Sequence, residues 1–255
     1  VIPPRCIPVR VIEAARYLVV LDDHRAQHTI DLEMENMFER RQKLVETKVL
    51  GKFTVDPLAY KQLEANWHHT GLELVCATDG GLKDQVGTSS YAIYFPGMDQ
   101  AIVSGMAAEY QVWEHASVTR QELLGQLGVE YWLHKFQQLW GIPRQSLSIT
   151  LITDSQVSIN LLENVQEQQG IKDTLKADMD VALEIFRLQQ IHAWTKWRVQ
   201  KVESHIDRND APDEYYWDCN NFADTLASKA REIFPIQSLK ETNCHIFEGA
   251  RAGVT

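Results

Sequence analysis

Four carboxylates stand out by where the chain places them: Asp79, Glu122, Asp154 and Asp224. Asp79 closes the apolar run Leu74-Val75-Cys76-Ala77-Thr78, and Asp154 closes Leu151-Ile152-Thr153. A carboxylate at a buried strand end is costly unless it is hydrogen-bonded, paired or bound to a metal. Four that converge cannot all stay ionised without a counter-charge. Magnesium supplies that charge through oxygen ligands. Two such ions roughly 3.5–4 Å apart activate a water and stabilise a leaving oxygen in phosphoryl displacement. Taken singly, each acid has a plainer reading. A strand-terminal Asp caps a turn or helix, and Glu122 and Asp224 are solvated helix charges.

The elements around these acids are legible. Gly71 to Asp79 reads as a buried strand followed by the breaker Gly80-Gly81. Thr88 to Phe95 is a second strand, ended by Pro96-Gly97, and Ala101 to Met106 a third. Short turns between them predict an antiparallel meander. Ser117 caps a long helix that reaches Trp140 and stops at Gly141-Ile142-Pro143. Leu147 to Asp154 alternates as a fourth strand. Ser155 to Glu163 and Lys172 to Gln190 read as helices, Trp197 to Ser204 as a fifth strand, and Trp217 to Ile233 as a last helix. The order β-β-β-α-β-α-α-β-α predicts an α/β (α+β) fold with a mixed five-stranded sheet flanked by helices. Residues 1–70 read as an N-terminal helical appendage or linker, residues 71–234 as the domain that holds the acids, and 235–255 as a C-terminal tail. Within the appendage, Asp56-Pro57 starts a short helix by the cap-then-proline signal.

Composition sets outer bounds. The 255 residues are 44% hydrophobic and 24% charged, values of a globular chain rather than a disordered one. No stretch approaches the roughly 20 apolar residues of a membrane span. The four cysteines, Cys6, Cys76, Cys219 and Cys244, form no CxxC pair, which argues against a zinc ribbon or a dithiol centre. Their sparse use fits a reduced, intracellular setting, with cytoplasm and nucleus equally suitable. The chain opens Val1-Ile2-Pro3-Pro4 without a start Met and without a signal peptide, as expected of a piece processed from a longer protein. With 25 basic against 35 acidic residues, the net charge of −10 opposes a generic nucleic-acid coat. It leaves room for an enzyme that meets nucleic acid through a few contacts and bridging metal ions.

The words around the acids carry a family resemblance. Cys76-Ala77-Thr78-Asp79-Gly80-Gly81 resembles the T-D-G-S/G first-strand motif of type 1 ribonucleases H. Thr119-Arg120-Gln121-Glu122-Leu123 is similar to their N-R-x-E-L helix start, and Thr153-Asp154-Ser155-Gln156 to their T-D-S motif. Val202-Glu203-Ser204-His205 resembles the loop that carries their histidine. Asn220-Asn221-Phe222-Ala223-Asp224-Thr225-Leu226-Ala227 resembles the N-x-x-A-D-x-L-A of their last helix. Five motifs stand in the family's order across roughly residues 72–233. Ser204-His205-Ile206-Asp207, an acidic loop and then Cys219 to Asp224 look most like the ribonuclease H domains of retroelement reverse transcriptases.

The resemblance implies a metal-dependent endonuclease that hydrolyses the RNA strand of RNA–DNA hybrids with two magnesium ions, for which manganese can substitute. It implies that Asp79 is shared by both ions, that Glu122 and Asp154 hold the one nearer the attacking water, and that Asp224 completes the other. His205 would assist proton transfer or product release. Gly80, Ser117, Thr119 and Gln156 would contact the substrate, with Gln156 near the 2′-hydroxyls that mark RNA. The implied partners are the hybrid and a polymerase domain of a parent chain, with no membrane. Two departures oppose this. Val118 and Thr119 stand where the family often has two asparagines, and Ser155 to Gln190 lacks the basic, Trp-rich protrusion of many cellular members. The second opposes strong duplex binding by this chain alone, while the acidic charge and the lost asparagine favour a competing reading, a catalytically idle module of the same fold that binds or scaffolds; the complete set of acids favours the nuclease. A transposase or integrase of this fold places its Glu last among the acids, whereas here Glu122 comes second. Trp194, Lys196, Trp197 and Arg198 read as a packing cluster rather than a stacking platform.

Overall fold

The computed structural model describes residues 43, 45–110, 117–167, 178–203 and 206–234. One compact unit spans Lys48–Asn243, and its described elements are β1 (Lys52–Val55), α1 (Pro57–Asn66), β2 (Glu73–Lys83), β3 (Val86–Tyr94), β4 (Val103–Tyr110), α2 (Val118–Trp140), β5 (Leu147–Thr153), α3 (Gln156–Glu167), α4 (Met179–Ile191), β6 (Thr195–Lys201) and α5 (Glu214–Ile233). The strands form one sheet in the order β1-β4-β3-β2-β5-β6. The meander β2-β3-β4 is antiparallel, while β5 and β6 run parallel to β2. This is the mixed sheet flanked by helices expected from the sequence, with six strands rather than five. The additional strand is β1, antiparallel to β4 at the edge. Its four residues, Lys52-Phe53-Thr54-Val55, carry too short a pattern to stand out in a stretch read as an appendage.

Two details also depart from expectation. Gly80-Gly81 does not break the first strand. Both residues are paired, with Ser89 and Thr88, and the hairpin closes four residues later at Asp84 and Gln85. Those two take the left-handed conformation of a two-residue hairpin loop, with φ of 51° and 65°. The glycines are there because other backbone and side chains approach them closely, as shown below. The helix expected from Lys172 begins at Met179 among the described residues, and positions 168–177 lie outside them.

The central strands are buried on both faces. Alternation along β3 shows it: Tyr91 points to α2, where Trp132 Nε1 donates to its hydroxyl, while the Ser90 hydroxyl donates to Ala223 O of α5. On the α5 face, Val75, Ala77, Ala92, Tyr94 and Ile152 pack around Cys219 and Ala223. Residues of β2 and β5 with the same parity as Ala77 and Ile152 therefore look toward α5.

Beneath the far end of α2, α1 contributes to an aromatic cluster. Asp56 caps α1, accepting from Leu58 N and Ala59 N at 3.0 and 2.7 Å. At its other end Trp67 is fully buried, donates Nε1 to Gly141 O at 2.7 Å and packs edge-on against Phe136. Trp194 stands edge-on to Trp67 at 5.9 Å, so the tryptophan at the head of β6 does pack. Among the described residues no helix is long and apolar enough to cross a membrane.

A buried pair locks α2 to the end of α4. His192 Nδ1 lies 3.3 Å from Glu130 Oε2, and both side chains are closed to solvent. Burial pushes the Glu130 carboxyl up from its ordinary range, and His192 pulls it back. Removing one member of such a pair strands the other. We expect His192→Ala to cost about 3–5 kcal/mol in urea unfolding, far more than an exposed histidine would. A loss below about 1 kcal/mol would show that Glu130 sits there comfortably as a neutral acid.

Candidate active site

The site lies where the parallel pairing of β2 and β5 ends. The last registered pair is Ala77 with Ile152. Two residues further on, Asp79 and Asp154 come side by side with the parity that looks toward α5. Beyond that pair β5 ends and β2 continues with β3 alone, which opens a crevice at the carboxyl end of β5. Glu122 reaches the crevice from the first turns of α2. Oxygen atoms of Asp79, Glu122 and Asp154 all lie within 4.8 Å of one another. Asp79 is 8% and Glu122 4% exposed.

Gly80 permits this approach. A methyl group there would run into the backbone of Gln121 and Glu122. The start of α2 is then fixed by polar contacts. Ser117 caps it, accepting from Arg120 N at 3.2 Å and donating to Asp178 at 2.7 Å. The Arg120 guanidinium holds both oxygens of Asp180 at 3.0 and 3.1 Å and lies 3.6 Å from Glu109 of β4. Gln121 Nε2 donates to the same Glu109 at 2.7 Å. Glu122 is thus carried on a turn tied to α4 on one side and to β4 on the other.

The electrostatics are those of crowded acids. Burial, then the charges of Asp154 and Asp224, push Asp79 up to about 7, against the pull of the Gly80 N–H and Arg231. Burial, then Asp79 and Asp154, push Glu122 up to about 9, against the Gly80 N–H. Glu122 Oε2 is buried and has no hydrogen-bond partner. Three clustered carboxylates, one of them with an orphaned oxygen, are a hard, oxygen-only donor set that a divalent cation satisfies.

A cavity of about 340 Å³ opens over the three acids. Asp224, exposed on α5, lines it outside the close triad. Gly80 lines it as well. Ser117 and Thr119 do not, and the Ser117 hydroxyl is occupied by the cap. Gln156 is exposed and bonded to Asn160 instead. His205 lies outside the described residues. Val118 lines the cavity with a half-exposed apolar side chain.

Sequence reasoning missed Glu203, Trp217 and Arg231 on the cavity wall. Trp217, Asn220, Asp224, Ala227, Ser228 and Arg231 recur at helical spacing, so the face of α5 that Asp224 defines could have disclosed Arg231. Trp217 donates Nε1 to Ile206 O at 3.1 Å, and Arg208 binds Asp218 at 2.8 Å, which pins the loop after β6 to the start of α5. Glu203 carries no such signal, because it follows the last strand on an irregular segment.

No family model matches the chain, and no curated protein matches it. Solved structures similar to it include ribonuclease H1 from the halophilic archaeon Halobacterium salinarum NRC-1, with 13% identity over 64% of this chain and 99% of that one at a TM-score of 0.40. LC11-RNase H1 in complex with RNA/DNA hybrid has 12% identity over 63% and 97% at 0.43. The protease-reverse transcriptase of prototype foamy virus has 13% identity over 66% of this chain and 22% of that one, also at 0.43. The site stands on its own residues.

Crowded, protonated acids predict a distinctive pH response. Asp79 and Glu122 hold protons more tightly in the folded chain than in the unfolded one, where carboxyls titrate near 4. Metal-free protein should therefore lose stability as the pH rises from about 4 to about 9. Magnesium should raise the melting temperature, and more so at about pH 9 than at about pH 6, because it binds ionised carboxylates. Asp79→Asn should stabilise the metal-free protein by roughly 1–2 kcal/mol near pH 8 and diminish the magnesium effect. Calorimetric scans in chelator and in magnesium check this, and a pH-independent melting temperature in chelator sinks it. Gly80→Ala should cost about 1–3 kcal/mol, since a backbone, not a flexible side chain, meets the added methyl. Chemical denaturation measures that loss.

Proposed function

We propose that the chain is a divalent-metal-dependent endonuclease that cuts the RNA strand of RNA–DNA hybrids, as the ribonuclease H domain of a retroelement reverse transcriptase. The observation that supports this best is the triad of Asp79, Glu122 and Asp154 within 4.8 Å, with an unpartnered oxygen on Glu122. Asp79, Glu122 and Asp154 would hold magnesium or manganese, with Asp224 completing a second position. When bound, such ions supply Lewis acidity and a water deprotonated near neutral pH. The protein's part is to keep the carboxylates together and to shape the crevice in which a phosphodiester meets them. His205 is assigned proton transfer or product release by resemblance alone. A polymerase domain in a parent chain would supply the grip that a net charge of −10 denies to this one.

One observation favours the idle-module reading: apolar Val118 on the cavity wall offers no hydrogen bond where the family often has asparagine. Cleavage of a labelled hybrid in magnesium, beside a chelated control, separates the two. Asp154→Asn keeps the side chain's shape and removes a charged ligand, so it should lower magnesium-dependent cleavage by about 100-fold or more while circular dichroism stays unchanged. Asp224→Asn should be milder, because that carboxylate stands outside the triad. Full activity in Asp154→Asn refutes the metal role, and no cleavage by the unaltered chain leaves only the binding module.

A further inference from the structure

Among the described residues the cavity wall holds one cation beside its acids, Arg231, a side chain that neither the family motifs nor the proposed chemistry uses. It stands on α5 two turns beyond Asp224, on the same face. Its guanidinium reaches across the crevice to Gly81 of β2, where a Cβ would come within 2.6 Å of one terminal nitrogen. Gly81 is therefore not a turn residue. Its bare Cα makes room for the guanidinium. Arg231 is near enough to Asp79 to favour its charged form. Yet among the described residues it makes no ion pair within 4.0 Å, and its Nε is buried without a hydrogen-bond partner. Other arginines of this unit, Arg120, Arg187 and Arg208, are each held by carboxylates at 2.7–3.0 Å. A forked donor set left open beside a row of carboxylates that would hold metal ions suits a planar or tetrahedral oxyanion.

We infer that Arg231 is a phosphate-binding residue of this site, taking the non-bridging oxygens of a backbone phosphate next to the one that meets the carboxylates. This deepens the nuclease reading and rests on it. The role also answers the charge problem locally. In a chain of net −10, a single cation aimed into the crevice counts for more than the mean surface, because facing walls of protein limit screening.

Equilibrium binding of an RNA–DNA hybrid in calcium, followed by fluorescence anisotropy across a salt series, tests it. Arg231→Gln should weaken binding about 10-fold and lower the slope of log affinity against log salt by about 1, the share of one phosphate contact. Arg231→Lys should retain the slope and recover part of the affinity, since charge remains but the fork is lost. Gly81→Ala, which displaces the guanidinium without removing it, should weaken binding in the unaltered background and have little effect when combined with Arg231→Gln. That non-additivity, together with the salt slope, is a signature that a merely structural arginine would not produce. Should Arg231→Gln unfold, Gly81→Ala and Arg231→Lys carry the test. Unaltered protein that binds and cuts hybrid, with Arg231→Gln matching it in affinity and slope, overturns the inference and leaves the nuclease reading standing. Unaltered protein that neither binds hybrid in calcium nor cuts it in magnesium overturns both.

Discussion

The structure turns on a repulsion. Three carboxylates occupy one small, poorly hydrated space at the end of a sheet, two of them nearly closed to solvent. Left to themselves, like charges at such distances separate, or all but one take up protons. The protein prevents the first and lives with the second. Asp79 and Glu122 are both pushed toward neutrality in the absence of a counter-ion, and one oxygen of Glu122 is left unsatisfied. Such an arrangement lowers stability unless something positive completes it, which is the mark of a functional rather than a structural cluster.

Holding that cluster is shared among elements distant in the chain. Asp79 and Asp154 need only the register of two parallel strands, which the apolar rows of β2 and β5 set. Glu122 needs more, because it comes from a helix laid over the strand end. Gly80 permits the approach, and Arg120 with Ser117 ties that end of the helix to α4, while Gln121 and Arg120 reach β4. Further along, the Glu130–His192 pair fastens the same helix to the end of α4. The geometry of the acids is thus underwritten by polar contacts set around a well-packed sheet.

The cavity has two walls of different charge. Strand ends and the start of α2 carry the acids. The face of α5 carries Asp224, Asn220 and Arg231, and is kept in place by Trp217 and by the ion pair of Arg208 with Asp218. Charge on this wall is mixed, unlike the acidic strand ends. A polyanion approaching the crevice meets carboxylates on one side and a guanidinium on the other.

Much of this was legible in the residues alone. Strand alternation, the Ser117 cap, the Gly141 stop and the acids at strand ends are local signals, and they place the meander, α2, β5 and three of the acids on the correct elements. What stayed hidden depends on contacts far apart in the chain. Lys52–Val55 is a strand only because β4 offers it an edge. Gly80 and Gly81 resemble a turn in one dimension, and only the proximity of α2 and Arg231 shows why they are glycines within a ladder. Arg231 carried no motif at all. Composition and periodicity record which way each residue faces its own element. Which residues of different elements share one cavity is settled by register, close approach and burial, and these exist only once the chain has folded.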